Sequence, residues 1–287
     1  VDSPDSVRPR WWQWFIILSI DAPAVALVWQ AMFARIAGVQ LGGPPAIVLG
    51  LSVWLAYTAD RWIEGWRLPD EQTKTPRHRF YQQERWPMAF LWLVVLAGDV
   101  TVAFTELTTS ELLSGWVLLV PVLAYLLSHQ LVHRNSRWRA PKELCVAALL
   151  AAGAALFPLD RAPHAARLLA PALGLFALLC FVNCVLISVW EREVDAIQGQ
   201  TSLAQQFRAA TEWSHTLPWM VALIALIFAF SETGAPRAAA ASACGSGVLL
   251  WLLHRYEPKL GWKLARLLAD AALLTPIFPL LVERLQS

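Results

Sequence analysis

Apolar residues along this chain gather in long runs separated by short polar breaks. A run of about 20 apolar residues at a rise of 1.5 Å per residue spans a bilayer as a helix. Nine such windows occur, near 21–40, 44–64, 86–106, 112–132, 143–159, 168–190, 216–232, 237–254 and 263–282. The fifth is short and rich in alanine, and the ninth carries Asp270 and two prolines. No break is long enough for a soluble domain. The pattern predicts an all-α integral membrane protein: a single transmembrane domain over 1–287, with an N-terminal arm at 1–20 and two long loops at 65–86 and 191–215. In the arm, "RPRWWQWFIILSI" predicts an interfacial helix that breaks near "DAP". There Asp21 suits an N-cap and Pro23 a first helical turn. The polar, partly acidic lead before it does not read as a removable signal peptide.

Charge orients the spans. If the N-terminus is cytoplasmic, the arm and the loops after the second, fourth, sixth and eighth helices hold 18 of the 23 Lys and Arg, with Arg266 counted in the last of these. A positive-inside bias of this size supports both count and orientation, in what reads as a bacterial cytoplasmic membrane. Composition agrees: charged residues are 15% of the chain, against about 25% in soluble proteins. The 16 Trp favour a boundary between hydrocarbon and water. A net charge of +2 argues for no nucleic-acid partner. Cys145, Cys180, Cys184 and Cys244 all lie in apolar runs and read as small hydrophobes without disulfides.

Two helix ends carry acids at helical spacing. "LAYTADRWIEGW" places Asp60 and Glu64 four apart, and "NCVLISVWEREVDAIQGQTS" does the same with Glu191 and Asp195, with Glu193 between them and Asn183 two turns earlier. Like charges at i,i+4 repel, and acids at a helix C-terminus oppose the macrodipole. Singly they read as solvated acids paired with Arg61, Arg67 or Arg192. Their recurrence at the ends of the second and sixth helices favours a shared ligand. Mg²⁺ takes one or two carboxylates and fills its shell with water and phosphate oxygens, so acids facing across a cavity suit a bridged diphosphate. Lys74, Arg77, Arg79, Arg137, Arg139 and Lys142 stand between the clusters as phosphate contacts, although topology alone also accounts for basic residues there.

This pattern resembles the UbiA superfamily of intramembrane prenyltransferases, whose acidic motifs follow helices two and six. Asp60 and Glu64 match the middle and last acids of an N-D-x-x-D-x-x-x-D motif, with Ala56 and Tyr57 standing where the family places Asn and Asp. "KTPRHR" resembles its basic stretch. Asn183, Glu191, Asp195, Gly199 and Ser202 match the second motif without a gap, with Cys184 in place of an acid. The resemblance implies a nine-helix bundle with a central cavity open to the cytoplasmic side. It also implies Mg²⁺ held by Asp60, Glu64, Glu191, Glu193 and Asp195, of which all but Glu193 form the catalytic set. Asn183, Tyr57, Arg77, Arg79, Lys142 and Trp190 would contact substrate, and Tyr57, Trp62 and Trp190 would offer π faces to an allylic cation. The implied reaction transfers a prenyl group from an isoprenyl diphosphate to a lipophilic acceptor within membrane lipid. The alternatives are a terpene cyclase of the same fold and a degenerate homologue that serves as a structural or lipid-binding subunit.

Other polar residues remain. His129 and His133 have a metal-compatible spacing without an evident third ligand. Asp99 and Asp270 are intramembrane acids, functional candidates by default, and Asp270 also stands at i,i+4 from Arg266 as a possible pair.

Overall fold

The structure is a computed structural model describing residues 11–67, 76–128, 141–197, 202–207 and 209–286, without the side chains of 64–67, 76–79 and 286. Among the described residues it is helical, with no strand. The elements are α1 (Gln13–Ile17), α2 (Asp21–Ala37), α3 (Gly43–Arg67), α4 (Pro76–Gln83), α5 (Arg85–Glu106), α6 (Thr109–Leu127), α7 (Lys142–Arg161), α8 (Ala166–Trp190), α9 (Arg192–Ile197), α10 (Leu203–Gln206), α11 (Ala209–Ser231), α12 (Gly234–Leu260), α13 (Trp262–Ala272) and α14 (Ile277–Gln286).

Each apolar window of the sequence overlaps one of these helices over its described residues, the ninth the pair α13 and α14. Five helices (α5, α6, α7, α8 and α11) combine the length and apolarity needed to cross a bilayer, and α13 with α14, bent by 44°, makes a sixth. Nine crossings would need α2, α3 and α12 as well. The N-terminal break falls where the sequence places it. α1 ends before Ser19, whose φ of 53° turns the chain into α2. Asp21 is the first residue of α2 and not its N-cap, which is Ile20, and its carboxylate accepts from the adjacent Ala22 amide at 3.0 Å.

Different forces hold the centre and the periphery. Lipid tails are as apolar as leucine, so helices associate in a membrane through close packing and internal hydrogen bonds. At the centre, Trp29 stacks on Phe176 with centroids 4.5 Å apart, and Phe33 packs edge-on to Phe176 at 5.9 Å. Alanines 147, 151, 154 and 155 let α7 close in on its neighbours. On the outside, α5 and α6 turn Phe90, Leu93, Phe104, Trp116 and Val117 outward as a lipid-facing surface. Their connection is secured by a capping box between Thr108 and Glu111. Glu111 also accepts from Arg161 Nε at 2.8 Å, and Arg161 donates to the Gln40 carbonyl at 2.8 Å, joining α6, α7 and the α2–α3 turn at one end.

α11 and α12 pack closely. A Cβ on Gly247 would sit 3.0 Å from the Ala222 amide nitrogen and the Pro218 carbonyl oxygen, backbone atoms that cannot step aside. Gly247→Val should therefore part the two helices and cost about 1–3 kcal/mol, read as a lower unfolding midpoint in detergent. Gly245→Ala meets nothing closer than Thr275 Cγ2 at 3.8 Å and should leave the midpoint unchanged.

The last span is broken at 273–276, before Pro276, and the broken turn is held by side chains. Trp29 Nε1 donates to the Leu273 carbonyl at 2.9 Å, and Thr275 Oγ1 donates to the Ser242 carbonyl at 2.8 Å while accepting from Ser246 Oγ at 2.6 Å. Arg35 then pins α14 through Glu283 Oε2 at 2.6 Å.

Candidate functional site

α8 carries the second acidic motif into the bundle. Its last turn breaks at Glu191, but the Asp195 amide still donates to the Glu191 carbonyl at 2.8 Å. This i,i+4 bond carries helical geometry across the break, so Glu191 and Asp195 share one face, and both are buried. Glu193, between them, is exposed.

Two buried contacts join this motif to α13. Asn183 Nδ2 donates to Asp270 Oδ1 at 2.7 Å. Arg266 donates from one guanidinium nitrogen to both Glu191 oxygens, at 2.5 and 2.6 Å. Both observations revise the sequence reading. Arg266 is buried among helices, not part of a cytoplasmic loop; it is ion-paired with Glu191 and also lies within electrostatic range of Asp270, which takes its hydrogen bond from Asn183. The reason is helical geometry: Arg266 and Asp270 occupy one face of α13 and both meet the polar face of α8.

The centre widens from there. Asp270 interacts side chain to side chain with Asp21 at the start of α2. Tyr57 of α3 lies within electrostatic range of Cys180, Cys184, Asp21 and Asp270. Cys184 is likewise in range of Glu143, Asp270, Arg266 and Lys142. Tyr57 is thus level with Cys180 and Cys184, so Asp60, half-buried one turn further along α3, and Asp195, beyond Glu191, stand toward the same end of the bundle. Within this centre the Arg266 Nε and Asn183 Oδ1 atoms are buried without hydrogen-bond partners.

The structure therefore brings together Tyr57, Lys142, Asn183 and Glu191 from the sequence reading. Trp190 is committed elsewhere, donating to His254 Nδ1 at 3.1 Å, and Trp62 donates to the Arg85 carbonyl at 3.1 Å. Asp99 accepts from Ser52 at 2.8 Å, outside this cluster. Ser202 is buried at the start of α10, where Glu143 Oε1 accepts from the Leu203 amide at 2.8 Å. The side chains of Glu64, Arg77 and Arg79, together with Lys74, His129, His133, Arg137, Arg139 and Gly199, lie outside the described residues.

Among solved structures, the apo structure of a UbiA homolog from Aeropyrum pernix K1 aligns with 92% of this chain and 98% of its own, at a TM-score of 0.64 and 14% identity. The fold is that of the UbiA proteins. No protein-family model and no curated protein matches the chain. The UbiA architecture foreseen from the two motifs is thus present at an identity that carries the fold alone.

Asp21, Glu143 and Arg266 are members of the polar centre that the sequence reading did not assign to it. Asp21 read as a helix cap and Arg266 as a topological cation. Each stands at the edge of an apolar window, where an ionisable residue reads equally as a cap or a topological charge and only the packing assigns it a partner.

Proposed function

We propose that this UbiA-fold chain is an intramembrane prenyltransferase, moving a prenyl group from an isoprenyl diphosphate to a lipophilic acceptor. The observation that carries the reading is the convergence of Tyr57, Asn183, Glu191, Arg266 and Lys142 on one buried polar centre of that fold. The distribution of Lys and Arg favours nine crossings of one domain, with the acidic motifs at the cytoplasmic face of a bacterial membrane.

Mg²⁺ fits the donor chemistry only in part. Both Glu191 oxygens accept from Arg266, and no group of three metal-ligating side chains occurs among the described residues. Mg²⁺ needs only one or two carboxylates, so Asp60 and Asp195 would hold it. When bound, the ion neutralises charge on the leaving diphosphate.

The chain's own residues supply the rest. Arg266 and Lys142 place positive charge where the diphosphate would accumulate it, and the unpartnered Arg266 Nε is a donor ready for an anion. The allylic C–O bond breaks with its electron pair leaving on the diphosphate. The Tyr57 ring stands beside the developing cation, and the acceptor attacks the allylic carbon and gives up its proton. The apolar helices hold the prenyl tail and exclude water.

A second reading, a homologue without catalysis that binds an isoprenoid lipid in a membrane complex, is favoured by the Glu191–Arg266 pair. That pair places a fixed cation where the sequence motif calls for a metal ligand.

Pyrophosphate release separates the two readings. Purified protein incubated with isoprenyl diphosphates and Mg²⁺ should release pyrophosphate in the presence of an acceptor. Asp60→Ala or Asp195→Ala should slow release by about 100-fold or more, as expected for loss of leaving-group stabilisation. No release at any chain length, with an isoprenyl diphosphate still bound, would select the second reading. Release without an acceptor would indicate a cyclase.

A further inference from the structure

A cavity of about 470 Å³ opens between the end of α8 and the facing ends of α9, α11 and α12. That volume suits a small-molecule group. The cavity has a built wall. Indole N–H is a donor only, so Trp190 donating to His254 Nδ1 at 3.1 Å obliges that nitrogen to be unprotonated. A neutral His254 then carries its proton on Nε2. This nitrogen faces His215 Nδ1 at 3.0 Å and Ser214 Oγ at 3.3 Å. Ser214 Oγ donates to the Thr211 carbonyl at 2.6 Å, leaving its lone pairs to accept. His215 Nδ1 accepts as well, so the His215 proton lies on Nε2, at the edge of an exposed ring. The relay ends in an outward-facing donor.

Other lining groups complete the pattern. Thr211 Oγ1 is buried without a partner, and Arg192 and Arg255 add guanidinium donors. Glu193 and Glu257 add two carboxylates to the same wall. Equal numbers of cations and anions around donors suit a group that itself carries both signs.

The level of the cavity identifies the source of such a group. Trp251 lines it and packs against Trp219 at 4.9 Å. Beyond Trp219, α11 exposes Met220, Leu223, Ile227 and Phe230 as a lipid-facing stripe. Paired tryptophans at the end of an apolar stripe mark headgroup depth. We propose that this cavity binds the headgroup of a zwitterionic phosphoethanolamine lipid, with the phosphate toward His215, Thr211 and Arg255 and the ammonium toward Glu257. The site is separate from the polar centre and does not depend on whether that centre is catalytic.

Native mass spectrometry of the full chain in detergent, titrated with phosphatidylethanolamine, tests this. The wild type should retain one molecule in preference to phosphatidylglycerol. His215→Ala and Arg255→Gln should each weaken retention by about tenfold, the worth of one charge-assisted hydrogen bond. Thr211→Val, a near-isosteric change, should weaken it at an unchanged unfolding midpoint, so a folding defect cannot mimic the result. Glu257→Gln should shift preference toward phosphatidylglycerol. Equal retention by wild type and all variants would overturn the site. Preference of the wild type for phosphatidylglycerol, or binding of soluble phosphoethanolamine or inorganic phosphate as tight as that of the lipid, would overturn the assignment to a zwitterionic lipid.

Discussion

Replacing Arg266 with leucine is expected to lower the unfolding free energy by about 3–5 kcal/mol, the cost of stranding one member of a buried ion pair. Both Glu191 oxygens accept from Arg266, and each side chain is only about a tenth exposed, so water cannot take over when the guanidinium is removed. The double variant Arg266→Leu with Glu191→Leu should recover most of the loss, because an apolar replacement of both partners avoids the desolvation of either charge. Equilibrium unfolding by SDS titration of the detergent-solubilised protein, followed by tryptophan fluorescence, gives both values. A single-variant loss below about 1 kcal/mol would place the pair in the range of exposed ion pairs, against the burial described above. The same double variant bears on function. If the pair holds the second acidic motif in place for chemistry, pyrophosphate release should stay low even where stability returns.

Trp29→Ala should be comparably damaging, by about 3–5 kcal/mol, for a different reason. Trp29 is fully buried, stacks on Phe176, and satisfies the Leu273 carbonyl that the break between α13 and α14 leaves without a helical partner. Truncation removes the packing and orphans the carbonyl together. Trp29→Phe keeps most of the ring and loses only the donor, so its cost should fall to about 1–3 kcal/mol, that of one unsatisfied buried group. If alanine and phenylalanine prove equal, the hydrogen bond and not the packing dominates. The broken span would then be the first part of the bundle to loosen, read as early protease sensitivity around 273–276.

Much of the architecture was legible in the sequence, because a bilayer makes local pattern decisive. A backbone in hydrocarbon must satisfy its own hydrogen bonds, so long apolar runs have one outcome. The two motifs were legible too. Spacing alone placed Glu191 and Asp195 on one face, and the Asp195 amide bond across the break preserves it. Pairing was not legible. Nothing in the spacing of α13 says that Arg266 reaches Glu191, 75 residues away, while staying in electrostatic range of its neighbour Asp270. The roles of Trp190 and Trp62 were hidden for the same reason: an indole at a helix end suits a substrate wall, an interface belt or a hydrogen bond to a neighbouring helix, and only the neighbours decide.

The sequence by itself determined that this is a helical membrane protein, with acids returning at two helix ends. Those features follow from periodicity and composition, which act along the chain and need no knowledge of what lies across it. Tertiary structure alone decided where the charges find partners: Arg266 on Glu191, Asn183 on Asp270, and Asp21 brought beside Asp270 from the far end of the chain. A buried charge is stabilised only by what lies within a few ångströms of it, and those neighbours come from other helices. Packing α2, α3, α8 and α13 against one another therefore turned two acidic motifs into a mixed-charge centre.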